Sequence, residues 1–523
     1  MSLNIQEVFA GLTSRFRPEK AGDYAGIFHF DLGEVQFTVE ISARTCQVEE
    51  GLQGVPVCTL RTDVTTYLDT ELGLRSAQEA VLSGQIRIDN LPEMMRYSQF
   101  FRKLEFPADT YSKGRRQGQP SRKPHTGPLQ GLKVLDFTRL LPGPLGTMLL
   151  ADMGAEVIKI EAPKFYDYTR DFPPHKGGES AGYLAMNRSK RSLSLDYATP
   201  EGRQIILEMA READIVMEQF RPGVMAKMGL GYEDFKKVNP KIIYVAITGY
   251  GQTGPYAHLA GHDLNYITLA GVLSGNAHEA PQTPLIQMAD IAGGSYMAVM
   301  GCLAAVYARD RQGVGQYVDV SMMDGVMPLT LNARAVQWIT GQNIARNEAF
   351  LSGGLVNYGI YQARDGRYLA LGTLEAKFWA RFCEAVDKPE WKSRLLAQNP
   401  EEMARYKQEL SELFQTQDGR YWHDLGIAHD LLLNLVYEQD EVDQDPQIQA
   451  RKMVAELEHP TAGKIKTIGV PLKFSSTQAA PQWAPPLLGE DSLALLEEAG
   501  VSQATIEELL QKGILKCSGT DKP

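Results

Sequence analysis

The chain has 523 residues, 43% of them hydrophobic and 22% charged. That leaves room for several domains with buried cores and excludes wholesale disorder. A formal net charge of −11 argues against a nucleic-acid partner, no apolar run of about 18 residues marks a membrane span, and five scattered cysteines without a Cys-x-x-Cys pair exclude a zinc or disulfide framework. A polar, acidic start and an end without an address signal complete the expectation of a reduced, cytoplasmic protein.

Residues 5–16 have helical spacing, and 26–30, 35–41 and 57–61 alternate as strands do. Residues 63–72 predict a helix capped by Asp63. Ser76 with Glu79 three positions on is a capping box for another helix. Residues 84–88 predict a strand, and 94–104 a last helix carrying Met94, Met95, Tyr97, Phe100 and Phe101. A stripe of that kind is usually core, although methionine also adapts to variable ligand shapes. This order of elements resembles the sterol carrier protein type 2 family. The resemblance implies an α+β domain with a tunnel for fatty acids, sterols or fatty acyl-CoA. A degenerate domain used for docking or dimer packing is the alternative.

Residues 107–128 are rich in Pro, Gly, Ser and basic residues and have no apolar periodicity. A basic stretch attracts acidic lipid or phosphate; a solvated linker is the plainer reading. Beyond it, a strand at 131–137, a helix at 145–153 and a strand at 155–160 make a βαβ unit, hence a parallel sheet. A helix at 199–213, a strand at 215–218, a helix at 232–238 and a strand at 242–247 extend it. Gly143-x-Leu-Gly146 is not a dinucleotide fingerprint, so a nicotinamide cofactor is not expected. Residues 330–450 are more helical and predict a smaller domain. Residues 489–515 predict two short amphipathic helices.

Three clusters have chemical potential. His262 follows a glycine and precedes an apolar run, with Asp263 beside it to orient it; a structural histidine is the bland alternative. Asp290 is expected just before the start of a buried helix at 297–308, with two glycines in the first turn. A carboxylate or an oxyanion would be favoured there by free amides, and a plain N-cap is the alternative. Glu375 lies between a strand and a helix, where first-turn glutamates are common. Lys159, residues 187–191 and Arg221 are basic groups near expected strand ends, read either as phosphate contacts or as solvated surface charge.

The stretches LQGLKVLDFTRLLPGP, LLADMGAEVIKIEAP, NRSKRSLSLD, ADIVMEQFRPGVMAKMGLGY, IIYVAITGYGQTGPY and GVGQYVDVSMMDG together resemble the class III CoA-transferase (CaiB/BaiF) superfamily over about residues 129–515. The resemblance implies acyl-CoA substrates and an interlocked homodimer of α/β protomers. Each would have a Rossmann-like large domain and a smaller α+β domain, with the active site between them and shared across chains. The implied layout is a sterol-carrier-like domain at 1–105, a linker at 106–128, a large CoA-binding domain at 129–330, a small domain at 331–450, and a segment at 451–523 returning to the large domain.

Two branches follow. Transferases of this group use one aspartate as nucleophile, and Asp290 falls on that position. The α-methylacyl-CoA racemases resemble this chain in Gly261-His-Asp-Leu-Asn-Tyr266, Asp290-Ile-Ala-Gly-Gly-Ser295 and Gly372-Thr-Leu-Glu-Ala-Lys-Phe378. The racemase reading makes His262, positioned by Glu375, one acid/base and Asp290 the other, with an enolate stabilised by amides near the helix start. It requires no metal or organic cofactor beyond the coenzyme A of the substrate. The resemblance carries CoA contacts to Leu140, Leu195, Asp196, Val216, Gln219, Arg221 and Lys227. There are two departures: Glu161 is followed by Ala162 where an arginine is frequent, leaving Lys164 as the replacement, and residues 353–358 lack the usual GGxP. A carrier with a dead second region is the non-enzymatic alternative, opposed by the intact His262, Asp290 and Glu375.

Overall fold

The computed structural model describes residues 5–42, 44–71, 80–81, 84–102, 125–275, 280–345, 350–395 and 399–518. The capping box at Ser76 and Glu79 and most of the expected linker lie outside them.

The N-terminal unit is a five-stranded sheet in the order Thr45–Glu50, Gln36–Ser42, Gly26–Asp31, Cys58–Arg61, Arg87–Ile88. Only the pair Gly26–Asp31 and Cys58–Arg61 is parallel. The strand at Thr45–Glu50 is absent from the sequence reading because it is an edge strand, with Cys46 its one buried residue. The strand expected at 84–88 shrinks to Arg87–Ile88. Asp63 caps its helix as expected, its Oδ1 accepting from the Thr66 amide at 2.8 Å. The expected helix at 5–16 divides into Ile5–Ala10 and Leu12–Arg15 around Gly11. The last helix starts earlier than expected, at Leu91, with Pro92 in its first turn, and ends at Gln99.

Aromatic rings fill the interior of this unit. Phe9 stacks on Phe37 with centroids 4.0 Å apart, and Tyr97 packs against Phe28 at 4.7 Å. Met95, by contrast, is 61% exposed, so the stripe that enters the core is aromatic rather than methionine-rich. The buried Tyr97 hydroxyl has no hydrogen-bond partner among the described residues. Burying an unsatisfied hydroxyl costs stability. Tyr97→Phe should therefore stabilise this unit by about 1 kcal/mol; urea denaturation followed by tyrosine fluorescence checks this.

The second region is built on a seven-stranded sheet. Its strands are β1 (Lys133–Asp136), β2 (Glu156–Glu161), β3 (Lys190–Leu195), β4 (Ile215–Glu218), β5 (Ile243–Thr248), β6 (Tyr317–Ser321) and β7 (Leu515–Lys516). The spatial order is β6-β5-β4-β1-β2-β3-β7, parallel except for β7, which pairs antiparallel with β3. Strands covered on both faces read as continuous apolar runs, and all six residues of β5 are buried. Alternate residues feed two cores: Leu135, Ile158, Val216 and Phe235 on one face, Val134, Val157, Met217 and Cys302 on the other.

Helix α1 (Pro142–Asp152) begins three residues before its expected start, with prolines in its first turn. Helix α2 (Pro200–Met209) is capped by Thr199 and stops short of residue 213, and α3 (Tyr232–Val238) matches its expected span. Helix α4 (Asp263–Leu269) follows His262. The helix expected to be buried at 297–308 is α5 (Met297–Gln312), continuous with a π-helical turn at Ala289–Tyr296. Together these 24 residues are long and apolar enough to cross a membrane by length and composition, which corrects the run-length reading. One face is committed to the protein through Ala298, Cys302 and Ala305, while Met300 and Tyr307 are more than half exposed, so the helix is not wholly buried.

The smaller unit has three antiparallel strands, Tyr358–Gln362, Tyr368–Gly372 and Leu433–Leu435, over a core of Trp379, Phe382, Phe414 and Trp422. Near the C-terminus, Ser492–Glu498 and Gln503–Gln511 form the two expected short helices and lead into β7.

Of the basic residues expected at phosphates or in solvent, Arg221 is exposed, but Lys159 and those at 188–191 are held in internal ion pairs. Lys159 and Lys190 have no exposed side-chain surface and pair with Asp167 at 3.0 Å and Asp136 at 3.1 Å. Arg188 grips both oxygens of Asp152, at 3.1 and 2.7 Å. Arg191 bridges Glu156 and Glu498. Removing one partner of a buried pair leaves an uncompensated charge. Asp152→Ala should cost about 3–5 kcal/mol, read from the shift in the denaturation midpoint of the second region.

Candidate functional site

Strand order reverses between β1 and β4: β2 and β3 lie to one side, β5 and β6 to the other. In an open parallel sheet this reversal leaves a crevice at the carboxyl ends of the strands. Two loops meet there. The Gly143 amide donates to Gln219 Oε1 at 3.0 Å, joining the loop after β1 to the loop after β4. A Cβ at Gly143 would lie 2.2 Å from Thr138 Cβ and 2.5 Å from Gln219 Oε1, so the approach requires glycine.

The loop after β1 is tied down from below. Lys159 donates to the Thr138 carbonyl at 2.9 Å and to Asp167 Oδ2 at 3.0 Å. Asp167 Oδ1 accepts from the Leu140 amide at 3.1 Å. Leu140 is held at a φ of +62°, a conformation that costs a non-glycine residue about 1 kcal/mol or more. Burial would raise the Asp167 carboxyl, but Lys159, Thr169 and the Leu140 amide hold it down at about 2.

Asp290 comes to this edge on the π-helical turn. Ser295 Oγ donates to the Pro142 carbonyl at 2.6 Å, pinning the turn to the start of α1. A Cβ on Gly293 would lie 2.2 Å from the Met322 carbonyl, and one on Gly325 would lie 2.6 Å from the Gly293 carbonyl. These glycines let the turn pack backbone to backbone against Met322–Val326. Asp290 is therefore inside the first turn rather than ahead of it, and its side chain caps nothing. The Ala289 and Asp290 amides donate to Asp263 Oδ1 at 2.6 and 3.1 Å, and the Ile291 amide donates to Gln287 O at 3.0 Å. The leading amides of the turn, at residues 289, 290 and 291, are thus already engaged.

Burial, followed by the charge of Asp263, pushes the Asp290 carboxyl up to about 7. Tyr266, whose hydroxyl donates to the Gly261 carbonyl at 2.5 Å, is pushed up to about 12 by burial and then by Asp290. His262 precedes α4 with its ring exposed, and its amide donates to Asn265 Oδ1 at 3.0 Å. Asp263 thus joins the turn of Asp290 to the residue next to His262.

Glu375 stands at the N-cap of α7 (Ala376–Ala385), one residue before the expected first turn, and is exposed. No hydrogen bond or ion pair among the described residues joins its carboxylate to His262 or Asp290. The divergent loop at 353–358 packs beside it, the Thr373 amide donating to the Asn357 carbonyl at 3.0 Å.

The expected CoA contacts divide. Leu140, Gln219 and Arg221 lie on the two crevice loops and Lys227 ends the short helix Val224–Lys227 that follows the second; both cations are exposed. Asp196 follows β3 and braces its own turn, Oδ1 accepting from Ala198 at 3.2 Å. Leu195 and Val216 are fully buried with their main chains in the sheet ladder, which removes them from the accessible set. Lys164 is exposed beyond β2.

Sequence reasoning missed two features. It assigned Asp263 to His262 rather than to the amides of residues 289 and 290, which lie 26 and 27 positions away. It also passed over Glu218 at the end of β4, which burial pushes up to about 8 against a hydrogen bond from the Phe220 amide. Neither leaves a mark in local spacing. A cavity of about 960 Å³ lies elsewhere, lined by Lys452, Val454, Val470 and Phe474 and by none of the candidate residues. Among the described residues no group of three or more His, Cys, Asp or Glu is placed to hold a metal ion.

Residues 129–492 match CoA-transferase family III. Human succinyl-CoA:glutarate CoA-transferase is 34% identical over 399 residues, which cover 74% of this chain and 90% of that protein. Human alpha-methylacyl-CoA racemase is 31% identical over 395 residues, covering 74% and 97%. Among solved structures, a CAIB/BAIF family protein from Brucella suis superposes with a TM-score of 0.63 at 29% identity, covering 72% of this chain and all of that one.

The Asp290 carboxyl binds its proton more tightly folded than unfolded, so its contribution to wild-type stability falls as pH rises from about 4 to about 7. Asp290→Asn escapes that loss. Its stability relative to wild type should grow across this window and level off above pH 7, as measured by urea denaturation from pH 4 to 9. A flat difference would refute the raised carboxyl.

Proposed function

Because the chain belongs to CoA-transferase family III, we propose that it is an acyl-CoA racemase, inverting the α-carbon of a 2-methylacyl-CoA through an enolate. The observation that carries this reading is the joining, through Asp263, of the segment that begins at His262 to the turn of Asp290, with a carboxyl near 7 on that turn. Inversion needs a base on one face of the carbon and an acid on the other. A carboxyl near 7 is suited to exchanging a proton close to neutral pH. One group removes the α-proton, the thioester carbonyl takes the electron pair as an enolate, and the other group returns a proton to the opposite face.

In this reading the crevice loops hold the CoA portion, with Gln219, Arg221, Lys227, Asp196 and the Leu140 main chain as contacts, and Glu375 positions His262. The working form is a homodimer in which Glu375 reaches the site from the second copy. Exposed apolar side chains on α6 (Leu331–Thr340), where Trp338 is 65% and Ile339 87% exposed, support this. The N-terminal unit binds an apolar chain, the enzyme works in the cytoplasm, and no cofactor beyond the substrate's coenzyme A takes part.

A second reading makes Asp290 the nucleophile of a CoA-transferase, forming an aspartyl-CoA thioester. It is compatible with the transferases among the relatives, which stand beside the racemases at similar identity, 34% and 31% for the two human proteins.

Incubation with a 2-methylacyl-CoA in deuterated water, without acceptor acid, separates the two. Deuterium uptake with racemisation is expected, falling at least about 100-fold in His262→Ala and in Asp290→Ala. Racemisation retained in both variants overturns the two-base assignment. CoA transfer that appears only after a carboxylic acid is added, with an adduct mass on Asp290, establishes the second reading.

A further inference from the structure

The interaction between Asp263 and the turn that carries Asp290 has a role that neither reading of the reaction assigns. Asp263 is the first residue of α4, directly after His262. Its Oδ1 accepts from two consecutive amides of the other segment, Ala289 at 2.6 Å and Asp290 at 3.1 Å. One carboxylate is therefore bonded through the chain to the first acid/base candidate and through hydrogen bonds to the main chain of the second. A carboxylate that accepts from backbone amides makes strong, directional bonds.

We propose that Asp263 is the positioning residue of this site, fixing the spacing of His262 and Asp290 by clamping the first turn of the π-helical segment. The proposal rests on the reading that Asp290 is the reacting carboxyl, whether as acid/base or as nucleophile. The clamp has an electrostatic consequence. Asp263 is the like charge acting on Asp290, and with burial it favours the protonated carboxyl. Among the described residues, Asp263 is the charge that acts on Asp290 beside burial. Asp324 on Met322–Val326 and Asp319 on β6 are both exposed, and Asp319 accepts from the Gln252 amide at 3.0 Å. Arg221 acts on Tyr266, which also faces Asp290. Asp152, at the far end of α1, is paired with Arg188.

Two substitutions divide the functions of the clamp. Asp263→Asn keeps an acceptor oxygen for both amides and removes the charge. Asp263→Ala removes both. In the α-proton exchange assay, Asp263→Ala should lose about 100-fold in kcat, the scale of a misplaced catalytic group, with KM for the acyl-CoA nearly unchanged. Asp263→Asn should keep most of kcat but shift the Asp290 titration to lower pH. That titration is read without substrate, from the pH dependence of carbodiimide labelling at Asp290 in the full-length protein, located by mass spectrometry. Equal losses of kcat in the two variants with an unmoved titration would overturn the proposal, as would a loss confined to KM. If wild type exchanges no α-proton, the racemase reading fails, while a downward shift in Asp263→Asn still supports the clamp and an unmoved one overturns it.

Discussion

Two lysines without exposed surface hold the carboxyl edge of the large sheet in shape. Lys159 reaches from β2 to the Thr138 carbonyl and Asp167. Lys190 reaches from β3 to Asp136, Asn187 and the Pro144 carbonyl. Burying an ammonium group is costly unless it is paired and its hydrogen bonds are satisfied, and both conditions are met here. Burial still draws Lys190 down to about 8 against the pull of Asp136. The carboxylates they hold organise the loop above: Asp136 binds the Thr138 amide, and Asp167 binds the Leu140 amide. The floor of the crevice is thus built by internal ion pairs, and the exposed Arg221 and Lys227 remain available to a phosphate.

The edge that carries Asp290 depends on that floor. The loop after β1 supplies the Pro142 carbonyl that receives Ser295, and Ser295 belongs to the turn carrying Asp290. Gly293 and Gly325 let this turn pack against the neighbouring backbone, and Asp263 occupies its leading amides. A carboxyl partly withdrawn from water and facing a like charge keeps its proton to about neutral pH. Such a group suits proton transfer near pH 7.

Much of the fold was legible in local sequence. Strands covered on both faces announce themselves as runs such as IIYVAI, and caps such as Asp63 by residue type. The joint motifs placed the chain in its family, and the match over residues 129–492 agrees with that placement. Edge strands were invisible: Thr45–Glu50 has too few apolar residues, and Leu515–Lys516 is too short to show a period. The basic segment around Lys190 was misread because its partners, Asp136 and Asp152, lie 54 and 36 residues away from Lys190 and Arg188.

The sequence by itself determined the element types, the parallel sheet and the identity of His262, Asp290 and Glu375 as chemical candidates. Those follow from side-chain type and short-range period, which are local properties. Only the tertiary structure decided which charges are internal and that Leu195 and Val216 belong to the core. It also decided that Asp263 serves the turn of Asp290. Each of these depends on which distant segments share a surface, and so on desolvation and close backbone approach, which a linear pattern does not encode.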